Sequence, residues 1–477
     1  MALKTSDEYV ERLKHMKPNV YAHGKKIGRD DPLLELPINT LRFTFDAVDD
    51  SELKDLVVTK SHLTGEKINR FTSINLSIED LYTQQEMKRS CCHRVGGCTQ
   101  RCMATDTLNA IGVVTKDIDE DKGTHYHENF LEFLKYYQAN DLVGSTAQTD
   151  VKGDRKARPS QQQDPDLYLH LVDKTSKGIV VKGAKNHITM GPYVDEHLVI
   201  PTRSMTKEEG QWAVAFAVPA DADGIKIISR VVAPRKRIDL QAPYNNYGVS
   251  DSVVVFDNVF IPWERVFMCG EWEYAGSLAL TFAGFHRHSY CGCKPAVTDI
   301  ILGATALVAE YNGVDKASHI VDELTDLMII GELVYASGIA AAARAKKTSS
   351  GIYTPKFLYS NTGRYLAGIN IYHEYDVLAS IAGGLPSTLP TEEDWLSPET
   401  GPDLEKYISR KPGVSADKLH RLYRFISDYS CSAMGGWALY AGVHGGGSPV
   451  MEKIGIRSQY DLESKKDIIK YLAGIKD

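Results

Sequence analysis

The hydrophobic and polar residues of this 477-residue chain follow a helical period at both ends and a strand period in the middle. In the first third, apolar residues recur every three or four positions, which predicts amphipathic helices. From residue 147 to about residue 267, short β-rich runs alternate with turns of Gly, Asp and Pro, a pattern typical of an antiparallel barrel or sandwich. After residue 271, long alanine-rich segments predict a helical bundle.

These patterns predict an α+β protein with an N-terminal helical domain at 1–144, a middle β-barrel domain at 145–271 and a C-terminal helical domain at 272–477. The predicted helices of the first third are 6–16, 41–47, 77–89, 105–114 and 126–139. The predicted strands are 167–172, 178–181, 197–201, 212–218, 225–231 and 252–256. The predicted helices of the last third are 295–310, 320–345, 358–379 and 416–440.

Charge and composition narrow the classes of partner. The formal net charge is -7, and no basic stripe runs along the chain, so we expect a small-molecule substrate and no nucleic acid. The basic run at 235–237 is interpreted as solvated surface. No uncharged run reaches the eighteen or so apolar residues of a membrane helix, and the N-terminus lacks the order of a secretory signal. We therefore expect a cytoplasmic protein with no membrane partner and with its eight cysteines reduced.

Two distant segments hold half of the cysteines and predict a metal site. On a helix, Cys98 and Cys102 stand at i and i+4, and His286 and Cys293 stand two turns apart, so each pair shares a face. Three thiolates and an imidazole select zinc or an iron–sulfur cluster, and spacing leaves both open. The other cysteines are interpreted as buried thiols, although Cys291 lies close enough to compete with Cys293.

Several segments resemble the flavin-binding parts of the acyl-CoA dehydrogenase-like flavoproteins. They are Thr146 to Asp150 with Lys152 to Arg155, Val181 to Thr189, Phe256 to Pro262 and Ile381 to Gly384. The resemblance implies the same three-part fold, bound FAD and a homotetramer in which a glycine turn contacts a neighbouring subunit's flavin. Carried over position by position, the FAD-binding residues are Gln148, Thr149, Asp150, Arg155, His187, Ile188, Thr189, Ala382, Gly383 and Gly384.

Within that group, the chain resembles the 4-hydroxybutyryl-CoA dehydratase family. The resemblance lies in the two cysteine segments, 98–102 and 286–294, and in the segment 65–71. This resemblance implies a [4Fe-4S] cluster ligated by Cys98, Cys102, His286 and Cys293. It also implies radical-type dehydration of an acyl-CoA, 4-hydroxybutyryl-CoA to crotonyl-CoA, together with vinylacetyl-CoA isomerisation. The cluster would act as a Lewis acid toward the hydroxyl that leaves.

The implied catalytic residues are His286, Tyr290, Lys294 and Asp251. His286 would leave the iron and act as base, Tyr290 would hydrogen-bond the leaving oxygen, and Lys294 would stabilise negative charge. Asp251 stands where the family has a catalytic glutamate. A second family glutamate is replaced by Ala441. His444 or Glu452 would have to substitute for it, or the enzyme acts on a different acyl-CoA or runs only part of the cycle, as a dehydratase or an isomerase.

Two other functions remain open at this level. Flavin-dependent aromatic hydroxylases share the three-part layout, but they need oxygen and no cluster. A zinc-stabilised binding protein would use the same Cys₃His set as a closed structural site.

Overall fold

The computed structural model describes residues 3–232, 237–240 and 243–475. The helices are α1 Ser6–His15, α2 Glu35–Asp46, α3 Lys54–Val57, α4 Ile78–Val95, α5 Cys102–Lys122, α6 Tyr126–Ala139, α7 Pro243–Asn246, α8 Trp272–Asn312, α9 Ser318–Ala343, α10 Phe357–Ala382, α11 Leu385–Thr388, α12 Glu392–Leu396, α13 Gly401–Tyr407, α14 Ala416–Cys431, α15 Ala433–His444, α16 Pro449–Gln459 and α17 Glu463–Ala473. The strands are β1 Val20–Ala22, β2 Lys25–Ile27, β3 Val58–Lys60, β4 Lys67–Asn69, β5 Gly144–Ala147, β6 His170–Lys174, β7 Gly178–Thr189, β8 Glu196–Val199, β9 Val214–Pro219, β10 Ile225–Val231, β11 Ser250–Pro262, β12 Val266–Cys269, β13 Lys346–Lys347 and β14 Tyr353–Thr354.

The middle region forms two open sheets, so the predicted β-barrel is wrong. One sheet has the order β2-β1-β10-β11-β7-β6 and the other has the order β12-β9-β8-β5, and neither closes among the described strands. Closure is one way to remove exposed sheet edges, but helices can cover them as well. Helix α5 packs on the edge strand β5, and α6 packs on the edge strand β12. The two sheets contact each other through β5 and β7, which is the sandwich arrangement.

Helix α8 is the longest element, and it continues through Pro295. Proline lacks the amide that would bond the carbonyl four residues earlier, which belongs to Cys291. The side-chain amide of Gln85 on α4 donates to that carbonyl oxygen at 3.1 Å. Gly292 lets α4 approach this closely, because a Cβ there would overlap the Gln85 carbonyl oxygen. The predicted helix start at residue 295 is therefore wrong, and α8 begins at Trp272.

Helices α4, α5, α9 and α10 surround α8 and form the core of the helical part. The predicted helix 416–440 is divided at Ser432, whose side chain caps α15. By length and composition alone, α8 and α9 could each cross a membrane, although much of α8 is buried against the other helices. The expected absence of a membrane partner and the cytoplasmic location stay predictions.

The basic run at 235–237 falls partly outside the described residues, which exclude Arg235 and Lys236. Arg237 is described, and its Nε donates to the Asp428 carboxylate at 3.0 Å. Its side chain is 5% exposed, so the interpretation of Arg237 as solvated surface is wrong.

Candidate metal and flavin site

The segment from Cys98 to Cys102 is a loop that leads from α4 into the first residue of α5, which corrects the predicted helical spacing. Helix α4 ends at a left-handed Gly96, with φ of 70°, and Cys102 is the first residue of α5. Gln100 has φ of 67°, and its side-chain amide donates to the Gly248 carbonyl oxygen at 2.9 Å. The loop therefore turns Cys98 back toward Cys102 and anchors both beside the start of β11.

Four thiols converge where this loop meets α8. The side chains of Cys98 and Cys102 interact, and this contact, followed by burial, raises the pKa of Cys102 well above its ordinary value. Cys293 interacts in the same way with Cys92 of α4, and that contact and burial raise its pKa as well. Electrostatic interaction with Cys92 and Cys102 also raises the pKa of Cys293, which is consistent with the two thiol pairs lying near each other. The rival ligand Cys291 instead lies against Gly363 of α10.

A carboxylate fixes His286 in this site. Asp106, one turn beyond Cys102 on α5, has its Oδ2 2.9 Å from Nδ1 of His286. An ionised carboxylate only accepts hydrogen bonds, so Nδ1 carries the proton and Nε2 is left free. Ser289 donates to the other oxygen of Asp106 at 2.6 Å, and Lys88 of α4 donates to Ser289 at 2.7 Å. Burial alone would raise the pKa of Asp106, but Lys88 and the hydrogen bonds from His286 and Ser289 bring it below its ordinary value.

The spacing of the four predicted ligands bears on the choice between zinc and a cluster. Zn–S bonds of about 2.3 Å in a tetrahedron place neighbouring sulfurs about 3.8 Å apart. Among the described residues, only the exposed group Glu323, Asp326 and His373 brings three such ligand atoms within 4.8 Å of one another. The predicted set therefore does not form a closed cage for one ion. Three thiols and an imidazole oriented by a carboxylate fit a larger iron–sulfur cluster.

Tyr290 lies next to His286 under a glycine-rich loop. The two rings meet edge to face, with centroids 5.2 Å apart, and the Tyr290 hydroxyl donates to the Ala441 carbonyl oxygen at 3.3 Å. A Cβ at Gly445 would overlap that hydroxyl, and one at Gly446 would lie 3.2 Å from Cδ2 of His286. Burial raises the pKa of Tyr290, so the phenol keeps its proton and acts as a hydrogen-bond donor.

Asp251 is held by other side chains, whereas neither carboxylate oxygen of Glu452 has a hydrogen-bond partner among the described residues. Asp251 accepts from the Thr189 hydroxyl at 2.6 Å and from the indole nitrogen of Trp437 on α15, so it joins the sheet to the C-terminal helices. Glu452 is fully buried behind the glycine-rich loop, with the nearest Arg364 nitrogen 3.9 Å away, and burial raises its pKa. His444 is exposed.

Lys294 is paired inside the helical core. Its Nζ lies 2.6 Å from Oε2 of Glu374 on α10, and both side chains are at most 4% exposed. Thr298 also donates to that carboxylate oxygen, at 3.1 Å. The positive charge of Lys294 is therefore balanced by Glu374 before any substrate binds.

The structure brings most of the predicted flavin residues together at one end of the β sandwich. The backbone amide of Asn186 donates to the Thr149 carbonyl at 2.8 Å, so the loop at 148–150 lies beside His187, Ile188 and Thr189. The Gln148 side chain reaches the Ala279 carbonyl of α8 at 3.4 Å. The Asp150 carboxylate is engaged 2.6 Å from Lys185, and Arg155 is exposed.

The turn with Ala382, Gly383 and Gly384 lies elsewhere, at the C-terminal end of α10. It is 18 residues beyond Arg364, which stacks on Tyr290, and therefore about 27 Å further along the helix axis. Both glycines are exposed, and a Cβ at either would meet nothing within 4 Å. Gly383 has φ of 70°, a left-handed value that favours glycine.

Sequence reasoning missed four residues that shape this site: Lys88, Cys92, Asp106 and Glu374. Asp106 had a usable signal, because it stands at i+4 from Cys102, and the two share a face once the helix predicted at 105–114 begins at Cys102, as α5 does. Lys88 was inside a predicted helix, but its partner lies 201 residues away. Glu374 likewise pairs across 80 residues, a separation that no local pattern reports.

Family models and known relatives match nearly the whole length of this chain. Family models described as the N-terminal and C-terminal parts of 4-hydroxyphenylacetate 3-hydroxylase match residues 5–268 and 275–474. The 4-hydroxybutyryl-CoA dehydratase/vinylacetyl-CoA-Delta-isomerase of Clostridium aminobutyricum is 38% identical over 489 residues, which cover 99% of this chain and 100% of that protein. The structure of an oxygen-tolerant archaeal 4-hydroxybutyryl-CoA dehydratase from N. maritimus matches with a TM-score of 0.94 at 36% identity, covering 100% of this chain and 96% of that one.

Two more distant structures concern the cofactor and the fold. The oxygenase component of 4-hydroxyphenylacetate 3-monooxygenase, complexed with FAD, matches with a TM-score of 0.88 at 25% identity over 98% of each chain. Butyryl-CoA dehydrogenase from Megasphaera elsdenii matches with a TM-score of 0.51 at 13% identity over 96% of each chain, which shows the fold alone. The acyl-CoA dehydrogenase-like fold is thus confirmed, apart from the barrel.

Proposed function

Because the chain belongs to the 4-hydroxybutyryl-CoA dehydratase family, within the larger 4-hydroxyphenylacetate 3-hydroxylase family, we propose that it dehydrates 4-hydroxybutyryl-CoA to crotonyl-CoA and isomerises vinylacetyl-CoA. The convergence of three thiols with an imidazole held by Asp106 supports this most directly. Cys98, Cys102, Cys293 and His286 would hold a [4Fe-4S] cluster. FAD would lie at Gln148, Thr149, His187 and Thr189. The cofactors, when bound, would supply one-electron chemistry and a Lewis-acidic iron.

The residues of this chain position the substrate and move its protons. With Nδ1 bonded to Asp106, the ring of His286 presents Nε2 to the site, either as a ligand or as the base that removes a proton beside the thioester. Tyr290 would exchange its hydrogen bond to the Ala441 carbonyl for one to the leaving oxygen. Phe282 stacks on the His286 ring, at a centroid distance of 5.4 Å, and helps to fix its plane.

A homotetramer would explain the position of the glycine turn after α10. The turn is about 27 Å along the helix from Arg364, so within one chain it lies far from Tyr290. In an assembly, its exposed backbone could approach the flavin of a neighbouring subunit. This assembly, like the acyl-CoA partner, is part of the proposal.

The decisive experiment is anaerobic purification followed by iron, sulfide, zinc and flavin analysis, with assays of both reactions. We expect about four irons per chain, flavin absorbance and conversion of 4-hydroxybutyryl-CoA. One zinc and no flavin would end the proposal. Cluster and flavin without turnover of 4-hydroxybutyryl-CoA would instead indicate another acyl-CoA, in keeping with Ala441 and Asp251.

Aromatic hydroxylation is a second candidate, because hydroxylase components also match along the whole chain. One from Geobacillus is 28% identical and covers 100% of this chain. The converging thiols favour the dehydratase, since hydroxylation at a reduced flavin has no use for them. Incubation of the protein with reduced FAD, oxygen and 4-hydroxyphenylacetate should give no hydroxylated product.

Tyr290→Phe should lower the rate of dehydration by about 100-fold, because phenylalanine cannot donate a hydrogen bond to the leaving oxygen. The measurement is anaerobic turnover of 4-hydroxybutyryl-CoA and of vinylacetyl-CoA. Tyr423→Phe is the matched control, since its hydroxyl bonds Asn312 at 3.0 Å, away from the site. If neither activity falls in Tyr290→Phe, Tyr290 has no catalytic role.

Asp251→Asn should lower kcat by about 100-fold while the protein still folds. The amide cannot take up a proton, and it can accept only one of the hydrogen bonds that Thr189 and Trp437 now donate. Asp257→Asn, an exposed change on the same strand, serves as the control. Equal activity of the two variants would make Asp251 a purely structural link between the sheet and α15.

A further inference from the structure

The C-terminal end of α15 is held by a buried arginine of α10, Arg364, which is 0% exposed. Its Nε donates to the Gly445 carbonyl oxygen and its Nη2 donates to the Val443 carbonyl oxygen, each at 2.9 Å. The last carbonyls of a helix have no partner within the helix, and a cation there also meets the negative end of the helix dipole. Arg364 therefore fixes where α15 stops and where the glycine-rich loop at 445–447 begins.

The same guanidinium group lies on the ring of Tyr290. Its central carbon is 4.5 Å from the ring centroid, which is within the range of a cation–π contact. Because Arg364 is fully buried, water does not screen this contact. The Tyr290 hydroxyl donates to the Ala441 carbonyl oxygen of α15. One arginine thus holds both the tyrosine ring and the end of the helix that supplies its hydrogen-bond acceptor.

A second buried arginine, Arg287, extends this attachment along the loop. Its Nε donates to the Gly446 carbonyl oxygen at 2.9 Å, and its Nη1 donates to the Asn361 side chain at 2.7 Å. Glu452 is a charge neighbour of both arginines, with its Oε1 3.9 Å from Nε of Arg364. Neither oxygen of Glu452 has a hydrogen-bond partner in the described part of the chain. Glu452 therefore balances charge while the arginines remain bonded to the loop carbonyls.

The hydrogen bond that Tyr290 makes in this structure is readily exchanged. Its length of 3.3 Å exceeds the usual O–H···O distance of about 2.8 Å. The Ala441 oxygen also accepts from the Gly445 amide at 2.8 Å, so it keeps a partner when the tyrosine leaves it. A leaving oxygen can therefore take the Tyr290 hydroxyl, provided that the ring stays where Arg364 holds it.

We propose that Arg364 is a positioning residue for loss of the substrate hydroxyl, because it holds the Tyr290 ring and the end of α15 in the one arrangement that directs the phenol at the leaving oxygen. This role rests on the proposed function, since it concerns dehydration of a hydroxyacyl-CoA. Lysine cannot fill it, because an ammonium group has no planar fork with which to bond two carbonyls and stack on a ring at once.

The two proposed reactions separate this role from a general defect. Dehydration expels a hydroxyl and needs its hydrogen-bond donor, whereas isomerisation of vinylacetyl-CoA moves a double bond and expels nothing. In Arg364→Lys we expect kcat for dehydration to fall about 100-fold, as a misplacement of about 1 Å can cause. The kcat for isomerisation should fall less than about tenfold, and both KM values should change less than about threefold, because Arg364 does not touch the substrate.

Arg265→Lys is the matched control. Arg265 also lies over a tyrosine ring, 5.6 Å from the Tyr136 centroid, and it pairs with Glu196 of β8, away from α15. This variant should keep both activities. The assays use anaerobically purified holoenzyme, and iron and flavin are measured in every sample, so that lost cofactor is not mistaken for lost positioning.

A double-mutant cycle with Tyr290→Phe shows whether Arg364 acts through Tyr290. Once the hydroxyl is absent, Arg364→Lys has nothing left to misplace, and it should lower dehydration by less than about threefold further. Effects that multiply, about 100-fold on top of the loss in Tyr290→Phe, would mean that the two residues act independently.

Equal losses of dehydration and isomerisation in Arg364→Lys, or multiplying losses in the cycle, would overturn the inference. If Arg364→Lys does not fold, Arg364→Gln, which leaves Glu452 beside Arg287, is judged by the same ratio of the two activities. Failure of both variants to fold would make Arg364 a structural residue and would overturn the inference as well. A wild type with neither activity would instead contradict the proposed function itself, which distinguishes the two failures.

Discussion

His286→Ala should lower the rate of dehydration by about 10²- to 10⁴-fold, the largest loss of activity expected of any single substitution in this chain. Alanine removes both the fourth predicted ligand and the base, and it leaves the Asp106 carboxylate without the ring that it orients. Anaerobic turnover of 4-hydroxybutyryl-CoA gives kcat, and iron analysis of the same sample separates loss of the cluster from loss of the base.

His288→Ala is the matched control for this change. His288 lies on the same helix and is 2% exposed, but burial lowers its pKa to about 4, and its charge neighbours are Lys88 and Asp106 rather than the thiols. It should keep its iron and most of its activity. An equal loss in both variants would mean that the effect comes from damage to α8 and not from the chemistry of His286.

Local patterns predicted the elements whose stability is local. The helix at 126–139 and the strand at 225–231 have the predicted bounds, because their apolar period and turn residues are continuous in sequence. The sheet could not be predicted in the same way. Its strand β1 pairs in parallel with β10, about two hundred residues later, and a pairing of that separation leaves no trace in either strand.

The site was predictable where one helix carries it and unpredictable where several helices meet. His286, Tyr290 and Cys293 share the α8 face that their spacing predicts. The passage of α8 through Pro295 depends instead on a hydrogen bond from Gln85, a residue of another helix. The left-handed Gln100 likewise depends on contacts outside its loop, with Gly248. The helical Pro295 and the left-handed Gln100 are each stabilised by a residue distant in sequence. Sequence periodicity contains no information about such a partner.

Asp251 and Ala441, the two positions that differ from the dehydratase pattern, lie in different environments. Asp251 is fixed between Thr189 and Trp437 at the seam of the sheet and the helices, where a shorter side chain still reaches both donors. At Ala441 only the backbone is used, as acceptor for Tyr290. Glu452 is a buried carboxylate behind the glycine-rich loop, but Gly447 stands before it, and a Cβ at Gly447 would lie 3.4 Å from its Oε1.

Glu374→Gln should lower the free energy of unfolding by about 3–5 kcal/mol, because it leaves the Lys294 ammonium buried without a counter-charge. Urea denaturation of the purified protein measures the change. Asp417→Asn is the control, since it breaks the exposed pair with Arg421 and should cost less than about 1 kcal/mol. A loss of the same small size in Glu374→Gln would mean that the buried pair does not stabilise α8 against α10.

The double variant Lys294→Met/Glu374→Leu then separates stability from catalysis. Replacing both charges by apolar side chains of similar volume should restore the free energy of unfolding, since the desolvation penalty disappears with the pair. Turnover of the double variant should be well below that of the wild type, because methionine at position 294, one turn beyond Tyr290, cannot stabilise negative charge. Recovery of turnover together with stability would show that Lys294 serves only to neutralise Glu374, and it would remove Lys294 from the predicted catalytic residues.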